Sequence, residues 1–191
     1  MAQARRGLQT FRRNSPGALQ LMQPVDPEQV LLGPAVFRVA RLYLSYKPSA
    51  DMFASSTHHQ LPRYYSKVAL DVASAGVDAF QFDWQLEPST YPNPPWTLIH
   101  AVLWKLRDDM VRGMMVVPDW PTAAWWPLFE YLCVKARHFS TPIYMSEEGA
   151  LRPLQAWHTI IGIVDGRRDG GFAATMQVLD VDVETQLVRH A

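Results

Sequence analysis

An α/β layer fold with a mostly parallel sheet is what the sequence predicts, and three observations predict it. Segments with helical spacing alternate with short apolar runs, as in helix-covered sheets. The run Met114 to Val117, uncharged and closed by Pro118, has the profile of a central parallel strand. A chain of 191 residues, 48% of them hydrophobic, can bury one sizeable core but not two ordinary domains with linkers.

Residues 1–29 form a basic, proline-containing arm and residues 30–191 the folded domain. The first twenty residues carry Arg5, Arg6, Arg12 and Arg13 and no acid, and are expected to be disordered alone. Such a start also resembles a mitochondrial transit peptide, or the remnant of a longer reading frame. From Pro34 to Tyr46, the residues Val36, Val39, Ala40, Tyr43 and Leu44 fall at helical spacing, and Pro48 ends the helix. Ala50 to Ala54 reads as a short buried strand with Asp51 embedded. Ser55 to Val77 is polar and mixed, and Val77 to Trp84 is a second short strand or a loop that delivers Asp78 and Asp83. The strongest helix follows Trp96: Leu98, Val102, Leu106 and Met110 recur every four residues, with Thr97 as candidate cap and Gly113 as candidate end. A further helix is expected from Pro127 through Leu128, Tyr131 and Leu132 to Ala136. Strands are expected at Pro142 to Met145, Thr159 to Val164 and Gln177 to Val183, with a turn from Asp165 to Gly171 too polar to be core.

The 18 basic residues cancel the 18 acidic ones, but unevenly. Residues 1–50 carry seven basic groups against two acidic, net +5; the rest carry eleven against sixteen, net −5. A single cysteine, Cys133, excludes a disulfide framework and a multi-cysteine zinc site and suits a reducing, intracellular compartment. No stretch reaches the roughly 18 apolar residues of a membrane span, so the expected chain is soluble.

The stretch Tyr91 to Trp96, Tyr-Pro-Asn-Pro-Pro-Trp, carries the most chemical information. Two prolines after Asn93 hold the backbone extended, so Asn93 can present a fixed carboxamide at a strand end, where open α/β sheets bind ligands. Such a motif suits methylation of an exocyclic amine. The amino lone pair of adenine is delocalised into its ring; acceptors that hold its hydrogens draw the nitrogen toward tetrahedral geometry. The Asn93 side-chain carbonyl and the Pro94 main-chain carbonyl could supply them, with Pro95 fixing the turn and Trp96 stacking on a flipped base. The plainer alternative is a proline-rich turn before a helix, with Trp96 in the core.

The order of features resembles the phage-type DNA adenine methyltransferase (Dam-like) family, in the form carried by the polyproteins of DIRS- and Ngaro-type tyrosine-recombinase retroelements. The matching pieces are Asp51-Met52-Phe53-Ala54-Ser55, Tyr64-Tyr65-Ser66, Asp78-Ala79-Phe80 with Trp84, and Asn93-Pro94-Pro95-Trp96. Val116-Val117-Pro118-Asp119-Trp120-Pro121 and Trp125-Trp126-Pro127-Leu128 follow in the same order, so the resemblance covers roughly residues 30–165.

The resemblance implies a Rossmann-like methyltransferase fold, whole or truncated, that moves a methyl group from S-adenosylmethionine to the adenine amine of DNA. Asn93, Pro94, Pro95 and Trp96 would be the catalytic segment; Asp51, Ala54, Ser55 and Asp78 would hold the cofactor. No metal is implied. Partners would be DNA, including single-stranded or retroelement intermediates, and reverse transcriptase or ribonuclease H domains of the same polyprotein; the nucleus would suit a DNA substrate. The chain lacks any Gly-x-Gly, so the glycine-rich cofactor loop of many methyltransferases is absent, as it is in the Dam-like family.

Other readings compete. Asp51 and Asp78 also suit turn or helix caps, and a catalytically inactive module that binds nucleic acid or packs on neighbouring domains needs no chemistry. A ribonuclease-H-like reading would bring Asp51, Asp78 and Asp83 to magnesium. His58-His59 could line a groove or sit in a solvated loop. Trp120, Trp125 and Trp126 could stack on bases or fill the core. Arg167-Arg168 could touch phosphate or lie in a solvated turn, and Asp108-Asp109 is expected to be plain polar surface.

Overall fold

The computed structural model describes residues 31–139, 144–145, 158–168 and 178–181. The arm expected at 1–29 lies outside these, as do parts of the strands expected at 142–145 and 177–183.

The elements, in order, are β1 (Leu31–Leu32), α1 (Pro34–Leu44), β2 (Ala50–Ala54), β3 (Tyr64–Ser66), β4 (Gly76–Val77) and β5 (Thr90–Tyr91). Then come α2 (Ile99–Asp108), β6 (Arg112–Pro118), α3 (Trp126–Leu132), β7 (Cys133–Phe139), β8 (Tyr144–Met145), β9 (Thr159–Asp165) and β10 (Val178–Val181). Eight strands among the described residues form one sheet in the order β10-β7-β9-β6-β5-β2-β3-β4, and β1 pairs with β8 separately. Only β9 runs against its neighbours, β6 and β7; the other pairs are parallel. Numbered from β2, the strands β4-β3-β2-β5-β6 follow a 3-2-1-4-5 order, compatible with a Rossmann-like fold, and the winding reverses between β2 and β5.

Strand periodicity explains how helices come to cover both faces. In β6, Met114 and Val116 join Val36, Phe37, Val39, Ala40 and Leu44 of α1 in one buried cluster. Their alternates Met115 and Val117 face Ile99, Val102, Leu103 and Leu106 of α2 and Phe129 and Leu132 of α3 in the other. In β9 the same alternation sends Ile161 and Ile163 one way, Ile160 and Val164 the other. The six tryptophans between Trp84 and Trp126 divide accordingly: Trp84, Trp125 and Trp126 are buried, while Trp120 packs its edge on Trp96 with ring centroids 5.1 Å apart. For Trp125 and Trp126 the core reading therefore holds.

Several expectations need correction. The helix from Pro127 does not reach Ala136: it stops at Leu132, and Cys133 to Phe139 is a strand pairing with both β9 and β10. Tyr131, Leu132 and Ala136 fit helical spacing, but the burial of Cys133, Ala136 and Phe139 belongs to a strand between two neighbours. Gly113 does not end α2. Met110, with φ 53°, turns the chain at the helix end, and Gly113 lies inside β6, where a Cβ would come within 2.8 Å of the Thr90 hydroxyl. Nor does Thr97 cap α2, because a 3-10 turn at Trp96–Leu98 precedes it. The region Ser55 to Val77 contains two short strands. Tyr64 donates to Asp71 Oδ1 at 2.9 Å and Tyr65 to Glu87 Oε1 at 2.8 Å, so polar side chains anchor a buried element.

The amino ends of the sheet are closed by ion pairs. Asp165, expected in a polar turn, is the last residue of β9 and is buried; its carboxylate receives Arg112 at 2.6 Å and Arg167 at 2.8 Å. Hydrogen bonds from Arg167 and Arg112 hold its pKa well below the usual carboxylate range. Arg168 donates to the carbonyls of Tyr131 and Cys133, so both arginines have structural partners. Asp109 is likewise more than polar surface, accepting from Lys105 at 2.8 Å and from the Trp84 main chain at 2.9 Å.

Candidate functional site

Parallel strands β2, β3, β4 and β5 end on the same side, and their carboxyl ends surround one cavity of about 410 Å³. Ala54 and Ser55 follow from β2, Ser66 and Lys67 from β3, Asp78 from β4 and Asn93 from β5. This is the crevice at the reversal of winding, the place where open α/β sheets bind ligands. Asn93, Asp78, Ala54 and Ser55, far apart in sequence, are thus brought together by topology.

Asn93 owes its position to the prolines around it. Pro94 is buried, and Pro95 takes φ −48° and ψ 141°, which keeps the chain extended until the 3-10 turn starts at Trp96. Among the described residues none hydrogen-bonds the Asn93 carboxamide, and Asn93 lines the cavity. Trp96 is half-buried, packed on Trp120 and the core.

Asp78 is a cap and a cavity residue at once. It holds φ 59°, a conformation that Asp tolerates better than most side chains. Its Oδ1 accepts the Phe80 N–H at 3.2 Å and its Oδ2 the Gln81 amide at 3.1 Å. The chain after β4 is therefore the loop reading of Val77 to Trp84, built from two 3-10 turns that Asp78 and Asp83 cap. Phe80 then lies edge-on to Phe53, centroids 5.6 Å apart, giving the cavity an aromatic wall.

Asp51 is different, being buried within β2 at 3% exposure. Its Oδ2 accepts the Gln60 N–H at 2.9 Å and its Oδ1 the Phe53 N–H at 3.4 Å, so it folds the loop 55–60 back over the strand ends. Burial pushes its pKa up to about 6, against the pull of those two donors and of His59. The folded state thus binds the proton more tightly than the unfolded chain, whose carboxyl titrates near 3.8. This contribution to stability is fully present below that lower value and is lost as pH rises through about 6. Asp51→Asn is expected to gain about 1 kcal/mol relative to wild type between pH 5 and pH 8. Urea unfolding at both pH values tests this, and an equal difference at the two would contradict it.

His58 and His59 line a groove rather than a free loop, His59 stacking on Tyr64 with centroids 4.6 Å apart. No three His, Cys, Asp or Glu side chains among the described residues form a group that could hold a metal ion, so Asp51, Asp78 and Asp83 do not converge as the ribonuclease-H-like reading requires. Cys133 is buried, its thiol pushed up to about 12 by burial, which leaves no reactive thiolate. No described helix is long and apolar enough to cross a membrane.

Sequence reasoning missed Phe53, Phe80, Ser66 and Lys67 as cavity residues, and Tyr91 beneath the crevice. Phe53 and Phe80 stood inside the quoted motifs, beside Ala54 and Asp78; their adjacency was the available signal. Nothing in the sequence marks Tyr91, whose interest depends on what its hydroxyl lacks in three dimensions. In comparisons with known proteins, no family model and no curated protein matches this chain.

Proposed function

We propose that the chain is a Dam-like, S-adenosylmethionine-dependent methyltransferase domain acting on the exocyclic amine of adenine in DNA. One observation carries the reading: Asn93, in its Asn-Pro-Pro setting, shares a cavity at the winding reversal with Asp78, Ala54 and Ser55. At about 410 Å³ the cavity falls within the roughly 300–1,000 Å³ of small-molecule and cofactor sites.

The donor set fits the cofactor's chemistry. Phe53 and Phe80 offer apolar ring surface for an adenine base, Asp78 an acceptor for hydroxyl or amino groups, and Ala54 a small side chain that lets a ligand approach the backbone. The cofactor itself would supply an electrophilic methyl on a cationic sulfur. The Asn93 and Pro94 carbonyls would accept the hydrogens of the target amine and so localise its lone pair. Trp96 remains the candidate to stack on the base, through the part of its ring that Trp120 leaves uncovered. Retroelement origin, and partnership with reverse transcriptase or ribonuclease H domains, rest on the order of motifs.

Calorimetry with S-adenosylmethionine tests the reading before any target sequence is known. The wild-type chain is expected to bind, and Asp78→Asn, which keeps a cap acceptor but loses the charge, to bind about tenfold more weakly. Absence of binding, with DNA still bound, would replace the enzyme by the non-catalytic nucleic-acid module.

A further inference from the structure

A second compartment of about 160 Å³ opens beside the first, sharing Leu31, Phe53, His58 and Asn93 with it. Asp51 of β2 and Tyr91 of β5, cross-strand neighbours in register, both line it. Tyr91 is 1% exposed, and its hydroxyl has no hydrogen-bond partner. A buried hydroxyl without a partner is costly and rare in native proteins, and a lining position in a cavity supplies the reason: a ligand atom completes it.

Leu32 and Pro34, at the start of α1, form another part of the wall. The helix runs for eleven residues, Gly33 offers no side-chain cap, and the first turn contains no acid. Its free N–H groups and the positive end of its dipole are therefore unanswered by any side chain. One compartment thus combines a carboxylate, a helix end that favours negative charge, and an unpartnered hydroxyl. A lone cation would leave the helix end unused, and a lone anion would face Asp51. A zwitterion satisfies both.

We propose that the small compartment receives an α-amino-acid group, its ammonium on Asp51 and its carboxylate between the first turn of α1 and the Tyr91 hydroxyl. The assignment deepens the proposed function, on which it rests only for the nucleoside half of the ligand. The two compartments meet at Asn93 and Phe53, so an amino acid joined to a nucleoside would span them past the residue that holds the acceptor amine.

The test titrates the full chain, wild type, Tyr91→Phe and Asp51→Asn, with S-adenosylhomocysteine, 5′-methylthioadenosine and L-methionine, and records the melting temperature of each free protein. S-adenosylhomocysteine is expected to bind wild type at least about tenfold more tightly than 5′-methylthioadenosine, which lacks the amino-acid end. Tyr91→Phe is expected to lose most of that ratio, to bind 5′-methylthioadenosine as wild type does, and to melt no lower than wild type. That last result separates a ligand-directed hydroxyl from a structural one. Asp51→Asn should lose the ratio too. An unchanged ratio in Tyr91→Phe overturns the proposal. If neither adenosyl ligand binds but L-methionine raises the melting temperature of wild type and not of Tyr91→Phe, the amino-acid site stands and the methyltransferase reading falls. If none of the three binds, both fall.

Discussion

Asn93→Ala is expected to lower kcat for adenine methylation by about a thousandfold or more while leaving the unfolding free energy within about 0.5 kcal/mol of wild type. The two halves of this expectation have separate grounds. Stability is spared because Asn93 is only half-buried and no described residue hydrogen-bonds its carboxamide. Pro94 and Pro95, which set the backbone, are untouched. Activity suffers because the amine lone pair of adenine is delocalised, and an acceptor positioned for its hydrogens acts where the nitrogen changes geometry in the transition state. Asn93→Asp retains an acceptor and should keep much of the rate; Asn93→Leu retains shape without an acceptor and should fall with Asn93→Ala. Transfer of labelled methyl from S-adenosylmethionine to unmethylated DNA of mixed sequence, followed by nucleoside analysis for N6-methyladenine, reads all three. Wild-type kcat in Asn93→Ala would sink the mechanism.

The contrast between Asn93 and Tyr91 shows what a sequence can disclose. Asn93 was legible because proline chemistry acts locally: Pro94 and Pro95 dictate an extended chain wherever they occur, and a strand end before a helix is where α/β sheets place ligands. Asp51, Ala54 and Ser55 were legible for a related reason, since Ala50–Ala54 is apolar enough around its one acid to be recognised as a buried strand. Tyr91 lies two residues from Asn93, yet its orphan hydroxyl follows from the register of β2 with β5 and from where α1 begins. None of these is encoded within a short window. Strands β3 and β4, of three and two residues, are too brief to show any period, and their buried polar anchors read as loop. The run Thr159 to Val164 announced a fully buried strand, but apolar residues on both faces look the same whichever way the strand runs, so its antiparallel setting between β6 and β7 was not legible. Likewise the helix that continues through Ala136 fails because β9 and β10 supply hydrogen-bonding edges, a tertiary choice that overrides spacing.

Trp84→Ala is expected to destabilise the domain by about 3–5 kcal/mol and to weaken cofactor binding out of proportion to any contact with the ligand. Trp84 has no exposed surface, and its indole N–H donates to the Ala79 carbonyl at 2.8 Å. Its ring faces Phe80 and Phe53, each 6.3 Å away between centroids. It is also tied to the far side of the sheet, because its main-chain N–H donates to Asp109 beyond α2. Through these contacts Trp84 holds the 3-10 turn Ala79–Gln81, and with it the Asp78 cap and the Phe80 wall of the cavity. Truncation would leave a cavity lined by aromatic rings and would release Asp78 from a backbone conformation, φ 59°, that it does not favour alone. Trp84→Phe keeps most of the ring packing but loses the indole donor, and should cost about 1–3 kcal/mol, chiefly from the unsatisfied Ala79 carbonyl. Denaturant unfolding separates the two variants. Calorimetry below their transition temperatures then distinguishes a positioning role from a merely structural one. If Trp84→Phe, folded and at saturating stability, binds S-adenosylmethionine as wild type does while Asp78→Asn does not, the indole anchor stabilises the fold without setting the site. A weakened affinity in folded Trp84→Phe would show that the same ring that completes the core also fixes the carboxylate at the strand end.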